Sequence, residues 1–315
     1  MILALLFFIG GVALLLGGAS WFVDGASSLS RRLGIPDIIT GLTVVAVGTS
    51  APELAVNLAA ALKGTAGMAI GNIVGSNTLN ILLILGITAL IRPMRVERAT
   101  QRAEIPLVVL SAFVLLFMGS DRWLDGAPVS EISRSEGFVL LAFLMIFLAY
   151  IIYVGRSRNE EFRTPASKSL WLDLLKFFLG LAGLVVGSRL LVDGAIDIAH
   201  YFGISETVIG LTIVALGTST PELATSAVAA WKGNSDIAVG NVIGSNIINV
   251  FLILGITSVI QPLPADGALL RDFIVNIWAS ILLLFSTFTF GRMRIDRREG
   301  AIFLLLYVVY IYILL

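Results

Sequence analysis

The chain has no cysteine and a single histidine, His200. Without cysteine it can form neither disulfides nor thiolate metal sites. Its 21 basic and 21 acidic residues cancel, and a net charge of zero argues against a nucleic-acid partner. Only 13% of the residues are charged, against about 25% in an average soluble domain. This shortage of charge excludes an ordinary water-soluble protein.

Apolar sequence fills the chain instead. Hydrophobic residues make up 57% of it, and the mean hydropathy is +0.97. Apolar runs of about twenty residues, the length that crosses a bilayer as a helix, follow one another from end to end. Membrane-spanning β-strands would be about ten residues long with alternating polarity. We therefore expect an all-α membrane protein with the lipid bilayer as its surroundings.

Ten transmembrane helices are predicted from these runs. Their ranges are 2–24, 36–61, 67–91, 104–120, 136–154, 171–195, 205–230, 236–260, 271–290 and 300–315. The most polar interval, residues 155–170, is the predicted cytoplasmic linker. It separates two halves, residues 1–154 and 171–315, with five predicted helices in each.

The two halves contain a repeated segment. Residues 41–93 and 210–262 are identical at more than half of their positions, at a constant offset of 169 residues and without a gap. Because five is an odd number, two five-helix repeats enter the membrane in opposite orientations. This is the inverted-topology architecture of secondary transporters.

The basic residues predict the orientation of the chain. If both termini lie outside, fifteen of the 21 lysines and arginines fall in the loops that are then inside. The positive-inside rule therefore favours both termini outside. Lys63 and Lys232 occupy equivalent repeat positions on opposite sides, so one exception is built into the repeat.

The sequence Gly-Thr-Ser-x-Pro-Glu occurs once in each repeat, at Gly48–Glu53 and Gly217–Glu222. A carboxylate inside an apolar span is costly, so its presence indicates function. Proline removes a backbone hydrogen bond and clashes with the carbonyl four residues earlier. The helix should therefore bend and free carbonyl oxygens near Gly48 and Gly217. Carboxylate, hydroxyl and carbonyl oxygens together suit a hard cation.

The third and eighth spans supply polar partners for this motif. Ser76 and Asn80 are four residues apart and share a helical face, and Ser245 and Asn249 repeat the arrangement. The two glutamates of the motif would balance one Ca²⁺. When Ca²⁺ leaves, the carboxylates repel each other and require Na⁺ or H⁺ in its place. That requirement is a physical basis for obligatory exchange.

Simpler explanations exist for each feature taken alone. Glycines allow close helix packing, and membrane-embedded hydroxyls often bond to the preceding turn. A lone buried glutamate could pair with a basic residue, but spans two and seven contain none. Asp24 and Asp193, near predicted span ends, are assigned to interfacial capping. An intramembrane hydrolase using Ser50 or Ser219 is a remote alternative, because it lacks an evident base and a Gly-x-Ser-x-Gly elbow.

With both halves of the motif present twice, the chain resembles the cation/Ca²⁺ exchanger superfamily, and specifically prokaryotic Na⁺/Ca²⁺ exchanger-like proteins. Residues 41–93 and 210–262 are similar to that family's α-1 and α-2 repeats. The resemblance implies a secondary active antiporter rather than an enzyme, with Ca²⁺ and Na⁺ as transported ions and no cofactor. It also implies a multi-pass protein of the inner, cytoplasmic membrane, for which a monomer suffices. Spans one and six would form a mobile pair that slides past the core.

The resemblance also implies the ion ligands. Glutamates supply the central carboxylates, threonines and serines supply hydroxyls, alanines offer backbone carbonyls, and asparagines lie at the centre. The implied set is Glu53, Glu222, Thr49, Thr218, Ser50, Ser219, Ser76, Ser245, Asn80, Asn249, Ala46 and Ala215.

One departure concerns the central asparagines. Several family members carry Asp at one of the positions of Asn80 and Asn249, whereas this chain has Asn at both. The two glutamates are then the only full charges that the ions meet. The H⁺-coupled branch typically has Gly-Asn-Ala-x-Glu in the motif, so Na⁺ coupling is favoured here and H⁺/Ca²⁺ antiport is the alternative.

Overall fold

The computed structural model describes residues 1–63, 67–157, 169–204, 209, 213, 215–265, 267, 269–289 and 293–314. The chain is helical almost throughout. The helices are α1 (Ile2–Leu33), α2 (Asp37–Thr49), α3 (Ala51–Leu62), α4 (Met68–Ile91), α5 (Thr100–Met118), α6 (Asp121–Leu124), α7 (Arg134–Ser157), α8 (Leu170–Tyr201), α9 (Ala215–Thr218), α10 (Thr220–Trp231), α11 (Ser235–Ile260), α12 (Leu269–Ser286) and α13 (Arg297–Leu314).

The predicted spans correspond to these helices in order. Within the described residues, seven helices are long and apolar enough to cross a membrane, and the bent pair α2 and α3 makes an eighth. The helices α9 and α10 lie at the seventh predicted span, and α13 lies at the tenth. The start of the seventh span at 205–208, the repeat positions 210–212 and most of the linker, 158–168, lie outside the described residues. The all-helical membrane fold is as predicted.

Two helices are longer than predicted. The first continues from residue 24 to Leu33, where Gly34 ends it in a left-handed conformation with φ 67°. The sixth continues from residue 195 to Tyr201 and includes His200, which lies beyond the predicted span. The extensions are held by packing between helices, which a count of apolar residues does not detect.

Glycines join α1 and α8 along their whole lengths. A Cβ atom added to any of these glycines would lie under 3.0 Å from the backbone of the other helix, so no larger residue fits. The glycines recur every seventh residue on both helices, which run antiparallel, and we call them the glycine seam: Gly11, Gly18, Gly25, Gly180, Gly187 and Gly194. Close backbone approach through small residues is a common way of associating helices in a membrane.

Ion pairs add to the contacts of α1. Arg32 Nε lies 3.0 Å from Asp173 Oδ2 on α8. Lys232 Nζ lies 2.7 Å from Asp24 Oδ1, and it also donates to the Ser20 carbonyl at 2.9 Å. The expectation that Asp24 caps a helix end is therefore wrong, because α1 continues past it and its carboxylate binds a lysine of the other repeat.

Two short strand pairs tie the loops together and reveal the symmetry of the fold. Strand β1 (Met94–Arg95) pairs antiparallel with β4 (Arg294–Ile295), and β2 (Glu131–Ile132) pairs antiparallel with β3 (Leu263–Pro264). In the part of the chain that the structure describes, these pairs are the only strands. Residues of β1 and β3 are 169 apart, and β2 and β4 each precede the last helix of their half. The two pairs are thus equivalent. Each pair joins a loop of one repeat to a loop of the other, and the two pairs lie on opposite sides of the helix bundle, as an inverted repeat requires. We call the side of β2 and β3 the terminal face, and the side of β1 and β4 the linker face.

Candidate ion-binding site

The two Gly-Thr-Ser-x-Pro-Glu motifs each interrupt a helix at the serine. Ser50 separates α2 from α3 with φ −82° and ψ 5°, and Ser219 separates α9 from α10 with φ −92° and ψ 6°. The axes of α2 and α3 differ by 45°. Each proline lies in the first turn of the new helix, where it costs no hydrogen bond. The predicted bend is present.

The bend exposes a backbone carbonyl, and in the second repeat a neighbouring helix uses it. Ser188 of α8 donates its hydroxyl hydrogen to the Gly217 carbonyl at 2.8 Å. The equivalent residue in the first repeat is Ala19, which has no hydroxyl to donate. The two repeats therefore differ directly beside the motif.

The glutamates of the two motifs lie together at the centre of the bundle. Glu53 and Glu222 are each 1% exposed. Each lies in the first turn of its helix, where the positive end of the helix dipole favours a carboxylate. Ser50 Oγ donates to Glu222 Oε1 at 2.9 Å, and Ser219 Oγ donates to Glu53 Oε1 at 3.1 Å. Each serine thus binds the glutamate of the other repeat.

The charge of these glutamates has no counter-ion among the described residues. Within the described residues, no lysine, arginine or histidine forms an ion pair with Glu53 or Glu222. That part of the chain also contains no cluster of three or more His, Asp or Glu side chains that could together hold a metal ion. Two buried carboxylates without basic partners are unfavourable unless cations or protons accompany them.

Further oxygen atoms at these positions lack partners. The atoms are side-chain oxygens, they are buried, and no described residue makes a hydrogen bond to them: Glu53 Oε2, Glu222 Oε2, Asn80 Oδ1, Asn249 Oδ1, Ser245 Oγ and Thr218 Oγ1. Buried polar atoms in proteins almost always have a partner, so a cluster of orphaned oxygens calls for one. Oxygen ligands of this mixed kind are those that Na⁺ and Ca²⁺ accept.

The remaining predicted ligands have partners. Ser76 Oγ lies 3.2 Å from Ser219 Oγ, which brings α4 to the motif of the second repeat. Thr49 Oγ1 donates to Asn241 Oδ1 at 3.1 Å and lies 3.3 Å from the Ala46 carbonyl. That carbonyl also accepts the N–H of Ser50 at 2.9 Å, so it is not a free oxygen. Ala215 is the first residue of α9.

The two central asparagines share a backbone feature that the sequence did not predict. Asn80 begins a π-helical segment that ends at Ile84, and Asn249 begins one that ends at Leu254. A π-helical turn widens the helix locally and is frequent at functional sites. Its recurrence at equivalent positions shows that both repeats share this local widening of the helix.

Sequence reasoning missed the role of Asn241. Its amide accepts from Thr49, donates to Ser226 Oγ at 3.0 Å, and lies 3.4 Å from the Glu222 carbonyl. It therefore links the motifs of both repeats. The signal was available, because Asn72 and Asn241 are identical at the repeat offset, but their partners lie across the repeat interface.

Comparison with known proteins identifies the family. The profile of the family described as Sodium/calcium exchanger protein matches residues 3–153 and 172–315. The chain belongs to this family. The two matched segments lie on either side of the predicted linker, and together they cover nearly the whole chain.

Full-length relatives of this exchanger chain are known. It is 40% identical to the putative antiporter CaxA of Alkalimonas amylolytica, over 100% of this chain and 99% of CaxA. It is also 40% identical to the inner membrane protein YrbG of Escherichia coli, over 90% of this chain and 88% of YrbG. A structure of the sodium-calcium exchanger NCX_Mj, soaked with 10 mM Na⁺ and zero Ca²⁺, superposes with a TM-score of 0.85 at 35% identity, covering 99% of this chain and 98% of NCX_Mj.

These findings fix the class of the protein. It is a multi-pass membrane antiporter of the cation/Ca²⁺ exchanger family with the exchanger fold, and it is not an enzyme. Membership of this transporter family also excludes the hydrolase alternative.

Proposed function

We propose that this chain exchanges Na⁺ for Ca²⁺ across the inner membrane by alternating access. One observation carries the proposal, namely the pair of buried glutamates, which form no ion pair with any described residue and each accept a hydrogen bond from the motif serine of the other repeat. Two negative charges balance one Ca²⁺, and the same oxygens accept Na⁺ when Ca²⁺ leaves. An empty pair would leave two carboxylates repelling each other in a medium of low dielectric constant. A change in access to the site from one side of the membrane to the other is therefore favourable only when ions fill the site.

The ligands that we assign come from both repeats. Glu53 and Glu222 contribute the charge. Hydroxyls of Thr49, Thr218, Ser50, Ser219, Ser76 and Ser245, amide oxygens of Asn80 and Asn249, and carbonyls of Ala46 and Ala215 complete the set. The Ala46 carbonyl is the weakest member, because it already accepts a backbone hydrogen bond.

Sodium coupling is supported by the motif and by the named relatives. Crystals of NCX_Mj were soaked with Na⁺ together with Ca²⁺ or Sr²⁺. One relative of this chain, from Methanosarcina acetivorans, is named sodium/calcium exchanger MaX1. Both copies of the motif here have the Gly-Thr-Ser-x-Pro-Glu form rather than the form of the H⁺-coupled branch.

The orientation that we propose places the terminal face outside and the linker face in the cytoplasm. The linker face carries most of the arginines, as the positive-inside rule expects. The name of YrbG, inner membrane protein, supports the membrane assigned.

A flux assay tests the function. The purified chain in liposomes loaded with Na⁺ should take up radioactive Ca²⁺ when diluted into Na⁺-free buffer, and uptake should fall to background when Na⁺ is equal on both sides. Glu53→Gln should remove the uptake. Glu131→Gln, at an exposed strand residue of the terminal face, is the matched control and should leave uptake unchanged.

Two outcomes would overturn the proposal. Uptake that follows an imposed pH gradient and ignores Na⁺ would assign H⁺/Ca²⁺ antiport. Uptake that persists without any counter-ion would indicate a channel. Parallel assays with Mg²⁺ and Mn²⁺ define which divalent ion is preferred.

A further inference from the structure

Asn77 lies one residue past Ser76 and belongs to no set of ligands assigned above. It is 2% exposed, on α4 where that helix meets α11. Its two amide atoms bind α11 separately. Asn77 Nδ2 donates to the Asn246 carbonyl at 3.2 Å, and Asn77 Oδ1 accepts from Asn249 Nδ2 at 3.0 Å. Asn77 thus connects the backbone of α11 to one of its central asparagines.

This arrangement has only one favourable direction. A backbone carbonyl can only accept, so the atom of Asn77 that faces the Asn246 carbonyl must be its NH₂ group. Asn77 Oδ1 is then the atom that faces Asn249. An oxygen can only accept as well, so Asn249 must present its own NH₂ group to Asn77. The backbone carbonyl of Asn246 therefore sets the orientation of two side-chain amides in succession.

The consequence falls on Asn249 Oδ1. With its NH₂ group engaged by Asn77, this oxygen is buried and has no hydrogen-bond partner among the described residues. An amide turned the other way would present an NH₂ group, which repels a cation. We propose that Asn77 is a positioning residue, which turns the Asn249 amide so that its oxygen faces the transported cation. This inference rests on the ion site proposed above.

The equivalent residue in the other repeat behaves differently. Asn246 Nδ2 donates to the Val242 carbonyl of its own helix at 2.7 Å, and Asn246 Oδ1 has no partner among the described residues. Asn246 therefore does not hold the Asn80 amide as Asn77 holds that of Asn249. The same residue type at the same repeat position, equally buried, provides a matched control.

The experiment measures Ca²⁺ affinity and maximal flux separately in the full-length chain. Equilibrium binding of Ca²⁺ is titrated on purified protein, and the Na⁺-dependent flux is measured in liposomes. Asn77→Ala should weaken Ca²⁺ binding about tenfold, the upper range expected for one buried hydrogen bond. The maximal flux should change by less than about threefold, because the charge of the site is intact. Asn246→Ala should weaken binding by less than about threefold.

Rescue distinguishes positioning from packing. An aspartate at position 249 has two equivalent oxygens and needs no partner to turn it. The double variant Asn77→Ala with Asn249→Asp should therefore bind Ca²⁺ within about threefold of Asn249→Asp alone, a coupling that a double-mutant cycle reports directly. If Asn77→Ala does not fold, Asn77→Asp replaces it. Burial favours the neutral acid, whose O–H can donate to the Asn246 carbonyl while its other oxygen accepts from Asn249 Nδ2, so Ca²⁺ binding should be no weaker than in the wild type.

Several results would overturn the inference. One is that Asn77→Ala weakens Ca²⁺ binding as much in the Asn249→Asp protein as in the wild type, because that would show a structural role. Another is an equal loss in Asn246→Ala, and a third is weaker binding in Asn77→Asp. Failure of the proposed function itself is visible separately, since Glu53→Gln would then bind Ca²⁺ like the wild type.

Discussion

The two bent helices of the repeats are related by symmetry, yet they differ in how they are covered. In α10, Thr220, Ala224, Thr225 and Val228 are buried. The equivalent residues of α3 are all exposed: Ala51, Ala55, Val56 and Ala59. The reason is that α1 packs along α10, whereas α8 makes little contact with α3. Within the described residues, α10 at the linker face is therefore covered, whereas α3 at the terminal face is largely exposed.

The ion pair of Lys232 follows the same division. It holds Asp24 of α1 against the linker-face end of α10. The equivalent residues, Lys63 and Asp193, are both exposed and form no ion pair within the described part of the chain. Two helices that are identical at half of their positions thus pack differently. If the repeats exchanged these two packings, α3 would become covered at the terminal face and α10 would become exposed at the linker face. No new type of contact would be needed.

The largest expected effect tests where the symmetry holds. Glu53 and Glu222 are equally buried and each accepts from a serine of the other repeat. Glu222→Gln should therefore lower Na⁺-dependent Ca²⁺ uptake as far as Glu53→Gln does, by about a hundredfold or more, because either change removes half of the charge that balances Ca²⁺. Uptake in liposomes measures both, and normal insertion is checked by size-exclusion chromatography. A variant that kept a tenth of the wild-type flux would show that one carboxylate suffices.

The second prediction concerns the glycine seam that both α1 and α8 share. Gly18→Ala should destabilise the protein by about 1–3 kcal/mol, because its Cβ atom would collide with the backbone of Gly183 and Leu184. The neighbouring Gly17 has nothing within 4 Å of an added Cβ atom, so Gly17→Ala is the matched control. Thermal unfolding in detergent should show a Tm lower by several degrees for the first variant only. Equal Tm values would mean that the two helices separate at little cost.

The third prediction separates the two faces. Because the chain has no cysteine, Val228→Cys and Ala59→Cys report on α10 and α3 without a background label. Lys232→Ala should speed maleimide labelling at position 228 about two- to fivefold, as expected for loss of a partly exposed ion pair. Lys63→Ala should leave labelling at position 59 unchanged. The asymmetry would be contradicted if removing Lys63 had the larger effect.

The smallest expected effect is on Tm and concerns two helix N-caps, one in each repeat. Ser133 caps α7 with Glu136, and Asp296 caps α13 with Glu299. Hydrogen bonding to Glu299 and to backbone N–H groups lowers the pKa of Asp296 below its ordinary value of 3.8. A lowered pKa stabilises the fold above the unfolded value, and this contribution is lost as the pH falls through the folded value. Asp296→Ser should keep a cap like that of Ser133.

The measurement is the change in Tm between about pH 6 and about pH 3, in the wild type and in Asp296→Ser. A helix cap contributes about 1 kcal/mol, and the buried Glu299, which shares the hydrogen bond with Asp296, offsets part of the loss, so the wild type should lose about a degree more than the variant over this range. Identical losses would show that the exposed cap does not contribute to acid sensitivity.

Much of the fold was predictable, because helix number follows from the length of apolar runs and opposite orientation follows from an odd number of helices. The C-terminal end of α1 was not predictable in the same way. Its last turns are held by Ser27 and Ser30, which bond to α2, and by Arg32, which bonds to α8. These contacts join residues distant in sequence, and no local pattern announces them.

The candidate site was predictable to a similar depth. The repeated Gly-Thr-Ser-x-Pro-Glu identified both glutamates and the helix break. The π-helical turns at Asn80 and Asn249 and the bridging amides of Asn77 and Asn241 were not foreseen, because they depend on which atoms face each other across the repeats. The unequal covering of α3 and α10 was not foreseen either, since it depends on how α1 and α8 pack against them.

The glycine seam has a consequence for leakage. In the structure α1 covers α10 at the linker face. If α1 and α8 moved as one rigid pair, a shift that brought α8 over α3 at the terminal face would carry α1 away from α10. The two coverings would then exclude each other. Backbones in direct contact leave no side chains to yield between them. A softer joint would allow both ends to loosen together, and cations would then run down their gradients without being exchanged. In the exchange proposed above, the absence of side chains along this line would therefore limit the leakage of cations.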